Sequence, residues 1–329
     1  MLRFLRSYNT MVIVIILLIG VMTWLHVWDE TTTFGSVKYD AFMFRGLNGW
    51  LAYLPAGAHV WLGLFFTLLT AVMLVYANAR LQLIDKISYL PAFCYVTLIG
   101  GVPEIHLINP VLIATVLLIA AFIILSGAFE SERLSYNFFT ASAMISFATL
   151  FCTYMYAYML MVWVAILFWR PGYWREWVFS VLGFALPFFF AFSWFFLVEN
   201  DLTRMGDFFY EMFSIQQVAP SVSISSVFFF AAGIAVCAAA FVHLLQYVNS
   251  KKAIIRTRYY ILMMMVIITV GMTFVAPDVI PYIWYMLAFP MSFIISGYLN
   301  NIKSLRWGAI ILAVLLGGVA VAQAVFLRL

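Results

Sequence analysis

Charge is scarce in this chain. Asp, Glu, Lys and Arg make up 9% of its 329 residues, where a soluble domain carries about a quarter, and no polar stretch is long enough to bury a core of its own. A water-soluble domain is thereby excluded. Cysteine is scarce too. Cys94, Cys152 and Cys237 stand in apolar runs with no pair spacing, which argues against disulfides or a paired metal centre and leaves packed thiols. There is no glycine-rich phosphate loop, no HExxH and no GxSxG, so the strong catalytic signatures are missing. No strong internal repeat is visible, and the apolar runs hold few ionisable groups. Both lower the case for an ion-coupled transporter with inverted halves. The net charge of +4 asks for no nucleic-acid partner.

What the chain has is hydrophobicity: 66% of its residues are apolar, with a mean hydropathy of +1.07. Eleven apolar stretches are drawn at 11–28, 56–76, 87–102, 111–128, 138–153, 155–169, 177–198, 223–247, 259–275, 281–298 and 307–327. Most approach the ~20 residues that cross ~30 Å of hydrocarbon, and they are continuous rather than alternating, which predicts helices. The expected fold is all-α, a polytopic transmembrane bundle of residues 1–329 as one integral domain. Arg3 and Arg6 precede the first stretch, but no small-residue cleavage site follows it, so it reads as a retained span rather than a signal peptide.

Alternating the stretches with the N-terminus inside places 13 of the 17 Lys and Arg on the inner side and 9 of the 13 Asp and Glu on the outer side. That sorting orients the chain across a bilayer, C-terminus outside. It also settles the reading of 138–169. One long span there would push Lys251, Lys252, Arg256, Arg258, Lys303 and Arg306 outside, so two short spans are expected, turning near Tyr154–Tyr158. The outer segments are then 29–55, 101–110 and 199–222. In Thr203–Val218, Arg204, Asp207 and Glu211 recur opposite Met205, Phe208, Phe209 and Met212, the pattern of an interfacial amphipathic helix. Ser36–Trp50 is a weaker second case. Trp and Tyr at span ends, such as Trp24, Trp169 and Trp307, form an interfacial belt.

The outer segments hold most of the acidic residues. Asp29-Glu30 directly follows the first span, where a carboxylate can act as a base or hold a divalent cation; the bland alternative is a solvated loop start. Glu104 and His106 lie between Pro103 and Asn109-Pro110, in a turn that can present an acid/base pair or two ligands, too few to claim a metal, or be an ordinary capped turn. Arg204 is one of four outer cations and has the fork that binds phosphate, unless it merely snorkels. Tyr154, Tyr156 and Tyr158 can line a sugar or lipid groove, although core packing is the commoner role. Asp278 fits a cap for the helix starting near Pro281, and His26, His59 and His243 fit interhelical hydrogen bonding.

Tyr89-Leu90-Pro91, the stretch RPGYWREWVFSVLGFALP from Arg170 to Pro187, and FPMSFIISGYLNNIKSLRW from Phe289 to Trp307 carry a resemblance over the whole chain. It resembles a family of polytopic inner-membrane proteins of Bacteroidetes-type bacteria that has no assigned activity. More distantly, the topology is similar to the membrane glycosyltransferases of the GT-C superfamily, which use polyprenyl-phosphate sugars. That resemblance implies a catalytic acid in the first outer segment, matched by Asp29-Glu30, and a second acidic position in the next, matched by Glu104. It also implies helices along the outer surface, matched by Ser36–Trp50 and Thr203–Val218. In that reading Asp29 is the general base, Glu104 and His106 orient the acceptor or a cation, and Arg204 holds the departing polyprenyl phosphate. The first outer segment is shorter than in many such enzymes, and no soluble domain is appended. Two other functions stay open. One is a non-catalytic subunit of an envelope secretion or export assembly, docking a protein partner. The other is a lipid or solute transporter, with broken helices around Gly100-Gly101, Gly271 or Ser296-Gly297.

Overall fold

The computed structural model describes residues 10–24, 53–84, 88–106, 108–128, 134–169, 172–194, 224–275, 280–302 and 305–326, together with a few isolated positions in the segments between them. The described residues are 92% helical and contain no strand. They form eleven α-helices: α1 Thr10–Trp24, α2 Ala56–Leu81, α3 Leu90–Gly100, α4 Pro110–Gly127, α5 Leu134–Phe151, α6 Met159–Trp169, α7 Trp174–Trp194, α8 Ile224–Tyr247, α9 Ala253–Val275, α10 Ile280–Asn301 and α11 Leu305–Phe326. Each apolar stretch of the sequence overlaps one of them. In hydrocarbon a backbone has no water to bond, so an apolar run closes its hydrogen bonds internally. Polar caps and prolines mark the breaks: Asn109 accepts from Leu112 N at 2.8 Å to start α4, with Pro110 next to it. Pro187 and Pro290 stand inside α7 and α10.

Eight of these helices are long and apolar enough to cross a membrane, so the chain is a polytopic membrane protein. Three pieces are shorter: Met11–Trp24, Leu90–Gly100 and Thr153–Trp169. The uncertain region 138–169 is a hairpin. α5 ends at Phe151, a 3-10 turn covers Thr153–Tyr158, and α6 returns. The rings of Phe138, at the start of α5, and Trp169, at the end of α6, lie 6.0 Å apart. A single tilted helix would hold those rings more than 40 Å apart at ~1.5 Å per residue.

Cross-helix contacts sort the helix ends into two sets. At one end Arg258, in the first turns of α9, donates from Nε to Ser126 O at 3.1 Å and from Nη1 to Leu81 O at 2.6 Å. One buried guanidinium therefore caps the last turns of both α4 and α2, where the helix dipoles are negative. The Tyr259 hydroxyl donates to Leu83 O beside it, at 3.0 Å. At the other end, Trp284 in α10 and Gln323 in α11 both reach the final turn of α3. We call these the basic and the acidic end, after the loops that the sequence assigns to them.

Burial grades from the middle outward. Every residue of α3 is buried; most of α10 and α4 is buried as well, whereas α7, α11 and α8 leave most of their surface open. α3 is packed among α1, α2, α10 and α11, and α4 joins this centre to a flank of α5, α6 and α7. α7 lies directly on α5: a Cβ at Gly183 would meet the Phe139 carbonyl oxygen at 2.2 Å, so only glycine permits this approach. Val181, Leu182, Phe189 and Phe190 of α7 are exposed, apolar side chains suited to contact with acyl chains. The three cysteines are buried free thiols.

Candidate functional site

α3 has eleven residues, about 16 Å of helix, roughly half the ~30 Å of a hydrocarbon core. Among the described residues between α3 and α4, which are 101–106, 108 and 109, none is α-helical, and Pro103–Ile105 forms a 3-10 turn. Such backbone survives deep in a bundle only if protein groups satisfy it, and here they do. The Leu98 carbonyl accepts from Trp284 Nε1 at 2.7 Å. The Ile99 carbonyl accepts from Val102 N and from His106 Nε2, each at 3.1 Å. The Gly100 carbonyl accepts from Gln323 Nε2 at 2.7 Å, and the Ile105 carbonyl from the Tyr285 hydroxyl at 2.8 Å. The last three carbonyls of α3 thus each take a side-chain donor, two of them from the last two helices of the chain.

The sequence predicts a short outer turn near the bilayer surface here. Val102, Ile105, His106, Ile108 and Asn109 are instead all buried, because the carbonyls of a truncated helix need partners that only the bundle interior supplies. His106 is fully buried and stacks on Trp24, ring centroids 4.9 Å apart. Its Nε2 bonds a carbonyl, which can only accept, so that nitrogen carries the proton. The ring fixes the turn and does not face water. Trp24 fits there because a Cβ at Gly63 would be 2.4 Å from its ring, so α2 admits the indole only at a glycine.

Trp24, before the first outer segment, and Leu51, near the segment's far end, both pack against this turn. Trp24 lies five residues before Asp29 and stacks on His106. Leu51, near the far end of the segment, is buried in a small cluster with Ile108 and Ile113, flanked by Leu47, Leu62 and Phe66. Glu104 belongs by its backbone to the Pro103–Ile105 turn. Asp29, Glu30, Arg204 and Asp278 lie outside the described residues, as do almost all of Ser36–Trp50 and Thr203–Val218. Among the described residues no three of His, Cys, Asp and Glu cluster as a metal set.

Tyr154 and Tyr158 are buried. The Tyr158 hydroxyl lies 2.6 Å from Thr269 Oγ1, whose own proton goes back to Met265 O at 2.7 Å. Tyr158 therefore donates, and it ties the α5–α6 hairpin to α9. Of the helix breaks that a transporter reading expects, the one at Gly100-Gly101 is present, whereas α9 runs unbroken through Gly271 and α10 through Ser296-Gly297. Sequence reasoning missed Trp284, Tyr285 and Gln323. Gln323 had a readable signal, a lone amide in an Ala/Val-rich span; the two aromatics were indistinguishable from an interfacial belt. Comparison with protein-family models, with curated proteins and with solved structures gives no match to this chain.

Proposed function

We propose that this membrane protein is a transferase of the bacterial inner membrane that acts on a lipid-linked sugar at its acidic end. The observation that carries the reading is the anchoring of the first outer segment, through Trp24 and Leu51, onto the 105–108 segment. Asp29 and Glu30 stand five and six residues after Trp24 in the sequence, and Glu104 belongs by its backbone to the Pro103–Ile105 turn, which supports a place for all three at one end of the bundle. Asp29 takes the proton of an acceptor hydroxyl as its oxygen attacks the anomeric carbon. The bond from that carbon to the phosphate oxygen breaks, and polyprenyl phosphate leaves with the electron pair, its charge met by Arg204. Glu104 orients the acceptor or a divalent cation. His106, being buried, is a positioning residue in this scheme and exchanges no proton with substrate.

The test uses the full chain in lipid nanodiscs with a radiolabelled polyprenyl-phosphate sugar. Asp29→Asn is expected to lower release of polyprenyl phosphate by at least ~100-fold, the usual weight of a general base, at unchanged melting temperature. Unchanged release in that variant, or none from the wild type with any sugar offered, overturns the reading.

A further inference from the structure

At the basic end, away from the 101–109 segment, the last turn of α2 and the α8–α9 turn enclose a cleft of about 510 Å³. This is the size of a small-ligand site. Asn78, Gln82, Tyr247, Ser250, Lys251 and Lys252 line it. Its walls are fixed rather than incidental. α2 ends at Gln82, whose left-handed φ of 49° turns the chain out of the helix while its N–H closes onto Asn78 O at 2.9 Å. Asn78 Oδ1 accepts from Ile84 N at 3.2 Å and holds the far side of that turn. On the facing wall a 3-10 turn, Val248–Ser250, leads into α9, and Arg258 and Tyr259 bolt the start of α9 to Leu81 and Leu83.

The electrostatics favour an anion. Among the described residues no carboxylate lines the cleft. The C-termini of α2, α4 and α8 would ordinarily make this region negative, but the Arg258 guanidinium answers the carbonyls of Leu81 and Ser126, the Ser250 hydroxyl donates to Tyr247 O at 2.7 Å, and Lys251 N donates to Val248 O at 3.2 Å. Lys251 and Lys252 bring two cationic side chains to this wall, beside the first turn of α9, whose Ile255 also lines the cleft. The Lys251 ammonium lies over the Tyr247 ring, 5.3 Å from its centroid, a contact that limits its wandering. Basic pockets between membrane helices at a cytoplasmic face take anionic headgroups. α8 exposes Val242 and Leu245 below the cleft, a surface along which acyl chains can run.

We propose that this cleft binds the phosphate of an anionic ligand through Lys251 and Lys252. Two sources share that chemistry, a phospholipid headgroup and a soluble phosphate, and the experiment separates them. The full chain in a neutral detergent is titrated with short-chain phosphatidylglycerol, with short-chain phosphatidylcholine and with inorganic phosphate, and the rise in melting temperature is followed. A rise with phosphatidylglycerol alone assigns a lipid headgroup; a rise with phosphate as well assigns a phosphate site open to water. In both cases K251Q and K252Q each raise the midpoint about fivefold, the weight of one basic residue at an anionic surface, and the paired arginine variant K251R/K252R retains binding. The proposal is overturned if neither anion acts, if phosphatidylcholine acts as well as phosphatidylglycerol, or if the K251Q/K252Q double variant titrates like the wild type. None of these outcomes bears on the transferase reading, which concerns the other end of the bundle.

Discussion

Arg258 shows how a single side chain sets local architecture. In the sequence it is one of six cations whose sidedness decided the span count; in the structure it is buried and bridges two helix ends. Charged hydrogen bonds contribute about 1.5–3 kcal/mol each. Arg258→Met is therefore expected to destabilise the solubilised chain by roughly 3 kcal/mol or more. Arg258→Lys should recover less than half of the loss, because an ammonium cannot reproduce the planar fork that reaches both carbonyls. The two variants are compared by thermal melts in one detergent; full recovery by lysine would mean that charge alone matters there. His106 teaches the converse. Flanking prolines correctly marked a turn at 103–110, but a local motif carries no depth information, and the ring that looked like an acid/base group is packed under Trp24.

At the scale of elements, the sequence was legible wherever apolar length and breakers speak for themselves. The drawn stretches agree with the helices to within a few residues at most ends, and the α5–α6 hairpin followed from the charges of distant loops. What was not legible was how deep a connection lies and which helices touch. α3 looks like any short span in the sequence, and its burial depends on partners about 180 to 220 residues away. The α5–α7 contact was equally invisible, since Gly183 sits in an aromatic run that predicts only a lipid-facing helix. Gly183→Ala would drive a methyl group into the Phe139 backbone, and overpacking of this kind costs about 1–3 kcal/mol. Gly271→Ala, with nothing within 4 Å of the added carbon, should leave the melting temperature unchanged or slightly raised, since alanine favours helix by ~0.5–1 kcal/mol. Equal effects of the two substitutions would contradict the close approach of α7 to α5.

For the whole molecule, the sidedness of the two ends remains the reading drawn from the loop charges, and it can be measured directly. Tyr136, in the first turn of α5, and Tyr173, after α6, are exposed at the basic end, whereas Tyr53 is exposed near the start of α2 at the acidic end. The three native cysteines are buried and make a quiet background. In intact cells a membrane-impermeant maleimide is expected to label Tyr53→Cys. Tyr136→Cys and Tyr173→Cys should react only after the membrane is opened. If positions 136 and 173 reacted from opposite sides, the hairpin would not return to its own side of the bilayer; if all three reacted in reverse, the inside and outside assigned to the two ends would change places.

The truncated α3 also has a consequence for how the chain is made. The donors for Leu98 and Gly100 lie 186 and 223 residues downstream, so they do not exist when α3 leaves the ribosome. Until α10 and α11 arrive, those carbonyls stay in water, in the translocation machinery or on provisional partners, because unsatisfied backbone groups in hydrocarbon cost several kcal/mol each. The centre of the bundle is consequently the last part to be completed, and the final helix acts as its closing piece. A nascent chain interrupted before Gln323 would hold most of its hydrophobic mass in place while the Gly100 carbonyl still lacked its donor.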